Sequence, residues 1–214
     1  MIFMRGRPYY EEPEYHHYLL SQDRKELFPH TLLDQVSWEG LDNVLDFGMG
    51  NGYFLPPIMK RLPEGAFLWG AECQEILIDQ ALQRKVRENI SNFIPFYIER
   101  TEHPLMPDWI PPMDMILCSC VLSTFADPSL AIQGIARALG RAGFIILLDW
   151  EKMEAPSGPE ADQKVSLDRM KYFIEDAGFE VNRMLKTNPF VYGMEIRPKF
   201  ETKHDRTPSY KGLE

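Results

Sequence analysis

Apolar residues in this chain fall into short blocks that alternate between two periods. Asn43–Phe47, Ala66–Ala71, Phe93–Ile98, Met113–Cys120 and Phe144–Leu148 are runs of five to eight residues. Such runs are too short for buried helices, and the fourth is apolar apart from Asp114 and Ser119, as in a strand covered on both faces. Between them the spacing becomes helical. Pro56, Pro57, Ile58, Met59 and Leu62 predict one helix, with both prolines in its first turn, where a missing N–H has no partner anyway. Ile76–Glu88 predicts a second. Asp127-Pro128 caps a third that carries Leu130, Ile132, Ile135, Ala136 and Leu139, with Gly140 placed to close it. Ser166 caps a fourth with Leu167, Met170, Phe173, Ile174 and Ala177 along one side, and Gly178 stops it. Residues 179–186 and 190–197 read as two strands joined at Thr187-Asn188-Pro189 into a hairpin. Alternation of strands and crossover helices predicts an α/β fold, closed by an antiparallel hairpin.

The ends differ from this pattern. Residues 1–36 are rich in Tyr, His and charge, then amphipathic from Lys25 to Val36, which predicts an N-terminal arm and helix. Residues 37–198 form one domain, and 199–214 a charged, frayed tail. Glu154–Asp162, with its prolines, glycine and acids, reads as an exposed connection. At 214 residues the chain can bury a substantial core. Its formal net charge of −9 argues against a nucleic-acid partner, which needs clustered Lys and Arg. No apolar run reaches the roughly 18–20 residues of a membrane span. The first residues lack an apolar signal core, so a cytoplasmic location is expected. The three cysteines form no C-x-x-C motif, and Cys118 and Cys120 would share one strand face as small buried residues. The five histidines have no zinc-site spacing, so no metal is expected.

The candidate chemistry lies at the end of the first strand. Asp46 is followed by Gly48, Gly50 and Gly52 and then by a helix start. Glycines there permit positive φ and close approach of a ligand, and the helix N-terminus would offer free N–H groups. The dinucleotide fingerprint would need a glycine where Tyr53 stands. Glu72 lies 20 residues past Gly52, at the end of the second strand, where an acid can accept ribose hydroxyls; a solvated surface acid is the alternative.

These residues resemble motif I and the acidic residue of the class I S-adenosylmethionine (SAM) methyltransferases. The resemblance extends over roughly residues 30–198. Asp149-Trp150-Glu151-Lys152 and Asp176-Ala177-Gly178-Phe179 look most like small enzymes related to the ubiquinone/menaquinone-biosynthesis group. It implies a Rossmann-like seven-stranded sheet with helices on both faces and the last strand antiparallel. It also implies SAM as cofactor and methyl transfer to a small-molecule acceptor. A SAM-binding regulator or partner protein without catalysis is the alternative. Asp46, Gly48, Gly50 and Gly52 would hold the amino-acid part of SAM, Glu72 its ribose, and Cys73 would add a backbone N–H. Glu99 and Arg100 occupy the adenine-loop positions, with Glu99 standing where many relatives carry Asp. Ser119 would face the methionine and methyl; a hydroxyl bonded to backbone is its other reading. For the acceptor side the candidates are Tyr10, His16 and His17 on an arm closing over the pocket, and Tyr192 pointing into it from the hairpin. Replacing Glu72 by alanine would be expected to weaken SAM binding with little loss of stability.

Overall fold

The computed structural model describes residues 27–199, so Tyr10, His16 and His17 lie outside the described residues. In chain order the elements are α1 (Pro29–Leu33), β1 (Asn43–Phe47), α2 (Leu55–Met59), β2 (Phe67–Glu72), α3 (Glu75–Arg87), β3 (Phe93–Tyr97) and β4 (Met113–Ser119). Then follow α4 (Pro128–Ala136), β5 (Leu139–Trp150), α5 (Leu167–Asp176), β6 (Phe179–Leu185) and β7 (Val191–Pro198). The strands form one sheet in the order β3-β2-β1-β4-β5-β7-β6. β1 through β5 pair in parallel, while β7 runs antiparallel to both β5 and β6. This is the Rossmann-like arrangement expected for the chain. Strand order reverses between β1 and β4, so a crevice opens beyond their carboxyl ends.

Period-two alternation builds a separate core on each face. Leu45, Ile116, Cys118, Ile145 and Leu147 pack with Ala131, Ile132, Ile135, Met170 and Ile174 of α4 and α5. Their neighbours Val44, Met115, Leu117, Ile146 and Leu148 pack with Leu32, Leu33, Ile58 and Ala81 of α1, α2 and α3. Because both faces are covered, the strands read as continuous apolar runs. Asp127 caps α4 by accepting from Ser129 N, and Ser166 caps α5 by accepting from Arg169 N. No helix among the described residues is long and apolar enough to cross a membrane.

Several boundaries differ from the sequence expectation. Of the described residues 27–36 in the amphipathic stretch, α1 covers Pro29–Leu33, and α2 stops at Met59, before Leu62. α4 ends at Ala136, and Gly140 does not close it; Gly140 lies inside β5, which is 12 residues long. Pairing with β4 draws this stretch into the sheet through an irregularity, Met113 opposing Leu139 and Met115 opposing Phe144. A Cβ on Gly143 would stand 2.7 Å from the Met113 carbonyl oxygen, so glycine is what admits that close approach. The β3–β4 connection carries no helix; it contains Pro104, Pro107, Pro111 and Pro112, each lacking a backbone donor.

Candidate functional site

The glycine turn is held by the sheet as much as by its own conformation. Gly48 N and Met49 N both donate to Ala71 O, at 2.9 and 3.2 Å, tying the end of β1 to the end of β2. Gly48, Gly50 and Gly52 have φ of +70°, +55° and +74°. A Cβ on Gly48 would lie 2.6 Å from Cγ2 of Val121, and one on Gly52 would lie 3.3 Å from Cβ of Ala81. At these two positions the demand for glycine comes from protein neighbours. The start of α2 supplies no free donors either. Leu55 N donates to Gly52 O, Pro56 and Pro57 have none, and Ile58 N donates to Phe54 O. The expectation of an anion-type helix terminus is thus replaced by a turn whose polar surface is set by Asp46 and Glu72.

Both acids are buried, Asp46 at 3 % exposure and Glu72 at 6 %. Glu72 Oε2 accepts from Gly50 N at 3.0 Å, and Oε1 accepts from Cys73 N at 2.8 Å and Gln74 N at 3.1 Å. One carboxylate thereby pins the middle glycine and the entry to α3. It is a structural part of the turn, and the surface-acid alternative is excluded. Burial and the neighbouring Glu72 carboxylate push the Cys73 thiol up to about 11, so it stays protonated at neutral pH.

These groups face a cavity of about 940 Å³ of free space, counted out to open solvent. Asp46, Gly48, Gly50, Glu72, Cys73, Glu99, Arg100 and Ser119 all line it. Gly52 does not; it faces α3. Glu99 is exposed and Arg100 half-buried. Arg100 Nη2 donates to Thr124 O at 2.7 Å and Thr124 Oγ1 at 3.1 Å, and its guanidinium carbon sits 4.6 Å from the Phe125 ring centroid. Beyond Ser119 the lining becomes apolar, with Leu27, Tyr53, Phe54, Val121, Phe125 and Trp150. Cys120 lines it too, at φ +55°, outside β4; it therefore does not share a strand face with the buried Cys118. The Trp150 ring is backed by Gly158, where a Cβ would come within 2.6 Å of it, and by the Lys164 ammonium at 5.3 Å. Part of the stretch expected to be an exposed connection, Glu154–Asp162, thus packs under the site, and Pro159 within it is buried.

The sequence reading missed this apolar wall, because its members come from β1, β4 and β5 ends whose proximity only the sheet order defines. Trp150, at the end of a strand, was the one available signal. Tyr192 is the clear correction. It is buried opposite Asp149 on β7, outside the cavity lining, and its hydroxyl donates to Val165 O at 3.0 Å. Burial pushes its phenol far above the ordinary value, which unsuits it as a base. Tyr192→Phe should therefore leave SAM affinity unchanged in calorimetry. Losing one hydrogen bond of about 1 kcal/mol, it should lower the thermal midpoint by roughly 2–4 °C. A loss of ligand binding would return Tyr192 to the site.

The model of a family described as a methyltransferase domain matches residues 39–196. The chain belongs to that family. It is a SAM-dependent methyltransferase, with SAM as the methyl donor. Among solved structures, a SAM-dependent methyltransferase from Aquifex aeolicus superposes with a TM-score of 0.76 at 23 % identity, over 86 % of this chain and 97 % of that one. A putative type 11 methyltransferase from Sulfolobus solfataricus gives 0.62 at 21 % identity, over 87 % and 98 %. An O-methyltransferase of neocarzinostatin biosynthesis, crystallised with S-adenosylhomocysteine and 1,4-dihydroxy-2-naphthoic acid, gives 0.68 at 18 % identity. That match covers 87 % of this chain but 56 % of the other. No curated protein matches.

Proposed function

We propose that the chain methylates a small, largely apolar acceptor carrying an aromatic ring, bound between the glycine turn and Trp150. The observation that carries this reading is the change of lining along one cavity, from buried carboxylates at the β1 and β2 ends to aromatic and aliphatic walls at the β4 and β5 ends. The polar end suits SAM, whose ammonium and sulfonium are cations and whose ribose offers hydroxyls to a carboxylate. Asp46 and the turn would hold its amino-acid part, Glu72 the ribose, Glu99 and the Arg100 backbone the adenine, and Ser119 the methyl end. When bound, SAM supplies a methyl group already activated by its sulfonium.

The protein's own share is then alignment and exclusion of water. Phe125, Val121 and Trp150 shield the region beyond Ser119, and holding two reactants in near-attack geometry can supply roughly 7–11 kcal/mol. The naphthoic acid in complex with the neocarzinostatin enzyme is a compound of the shape such walls would take. Within the class, Asp149–Lys152 and Asp176–Phe179 support placement beside the ubiquinone/menaquinone-biosynthesis group. Leu27, the first described residue, lines the cavity from the N-terminal side, and the arm expected before it lies outside the described residues.

Calorimetry with SAM, S-adenosylhomocysteine, NAD and NADP tests the donor side: the first two should bind and the dinucleotides should not. Labelled methyl transfer to hydroxylated aromatic acids, peptides and oligonucleotides tests the acceptor side. Transfer to peptide alone would overturn the small-molecule reading. Tight SAM binding with no transfer to the aromatic acids would overturn the aromatic-acceptor reading.

A further inference from the structure

Asp149 is wholly buried at the end of β5, and it does not line the cavity. All three of its donors belong to the cavity wall or the turn behind it. Ser123 N donates to Oδ2 at 3.0 Å, Ser123 Oγ to Oδ1 at 2.8 Å, and Trp150 N to Oδ1 at 2.8 Å. Ser123 sits in the single 3₁₀ turn Leu122–Thr124, where Thr124 N and Oγ1 both return to Val121 O, at 3.1 and 2.6 Å. Thr124 in turn receives Arg100 from the β3–β4 connection. A second tie joins the same two segments, Ala126 N and Asp127 N donating to Glu102 Oε2 at 2.9 and 3.3 Å. The loops after β3 and β4 and the end of β5 are therefore one hydrogen-bonded unit with Asp149 at its base.

We infer that Asp149 is a positioning residue for methyl transfer: through Ser123 and the Trp150 backbone it sets the wall where the donor and acceptor ends meet. Stability alone gives little reason for a carboxyl here. Desolvation opposes its ionisation, and burial pushes it up to about 6 against the pull of the Ser123 and Trp150 donors. The ionisable groups facing it are Cys118 on β4 and Tyr192 on β7, and neither is a cation. What the carboxylate does provide is a fixed geometry for two separate wall segments at once.

The inference rests on the assignment of this cavity to SAM, so the wild-type protein is titrated first with S-adenosylhomocysteine. No binding there would defeat the functional reading itself. With binding established, Asp149→Asn, which places an amide N–H₂ against a donor, should lose affinity on the order of tenfold at a temperature where it is fully folded. Arg100→Ala should also lose affinity, and the double variant should lose little more than the larger single change, because both hold the same Leu122–Thr124 turn, Asp149 at Ser123 and Arg100 at Thr124. Wild-type affinity in folded Asp149→Asn, or strictly additive losses, would overturn the role. Should Asp149→Asn not fold, Ser123→Ala serves instead. It removes one donor and leaves the carboxylate and backbone bonds in place, so it should weaken binding measurably, with Ser123→Thr restoring it. No effect of Ser123→Ala, or no rescue by threonine, would equally overturn it.

Discussion

Glu72→Ala should lose SAM affinity by roughly ten- to a hundredfold and also lose about 2–3 kcal/mol of stability. The second effect is the one the structure adds. The carboxylate accepts from Gly50 N, Cys73 N and Gln74 N, and hydrogen bonds to a charged acceptor contribute about 1.5–3 kcal/mol each. The three do not add in full. Cys73 and Gln74 are only part-buried and can take water, and removing a buried charge returns some desolvation energy. Gly50 N is buried and loses its partner outright. A thermal midpoint lower by roughly 5–10 °C follows for a chain of this size. Urea denaturation and calorimetry on the same preparation check both halves. Unchanged stability would mean that the glycine turn holds itself without Glu72; unchanged affinity in a folded variant would remove Glu72 from the ribose site.

Gly48→Ala should be strongly damaging for a single added methyl, costing about 2–5 kcal/mol. Two effects combine. A non-glycine residue in left-handed backbone costs roughly 1–2 kcal/mol, and overpacking a filled space costs about 1–3 kcal/mol. Gly65 separates them, since its φ is +84° and a Cβ there meets nothing within 4 Å. Gly65→Ala should therefore show the backbone effect alone, and the excess in Gly48→Ala should report the collision with Val121. Because that collision is with a side chain, Val121→Ala in the Gly48→Ala background should recover part of the excess, even though Val121→Ala alone is destabilising. Equal losses at Gly48 and Gly65, measured by chemical denaturation, would show that the turn shifts freely and that contact with the β4 loop is unimportant.

How much of this was legible in the residues depends on whether the signal was local. The strand runs, the capped helices at Asp127 and Ser166, the hairpin at Thr187-Asn188-Pro189, and the Asp46-to-Gly52 turn followed by Glu72 all state themselves over a few residues. Periodicity, capping and positive-φ demand are properties of short segments, so the order of strands and helices and the polar end of the cavity follow from the chain alone. Strand pairing decided the rest. It drew Gly140 from a helix end into β5, turned Tyr192 away from the cavity towards Val165, and put Cys120 in left-handed backbone at the mouth of the site. It also aimed Gly52 at Ala81. The apolar wall of Val121, Phe125 and Trp150, and the role of Asp149 behind it, exist only because β4 and β5 lie side by side and end together. Residues far apart along the chain acquire such contacts from the sheet's order, and no local period encodes which strand end will meet which.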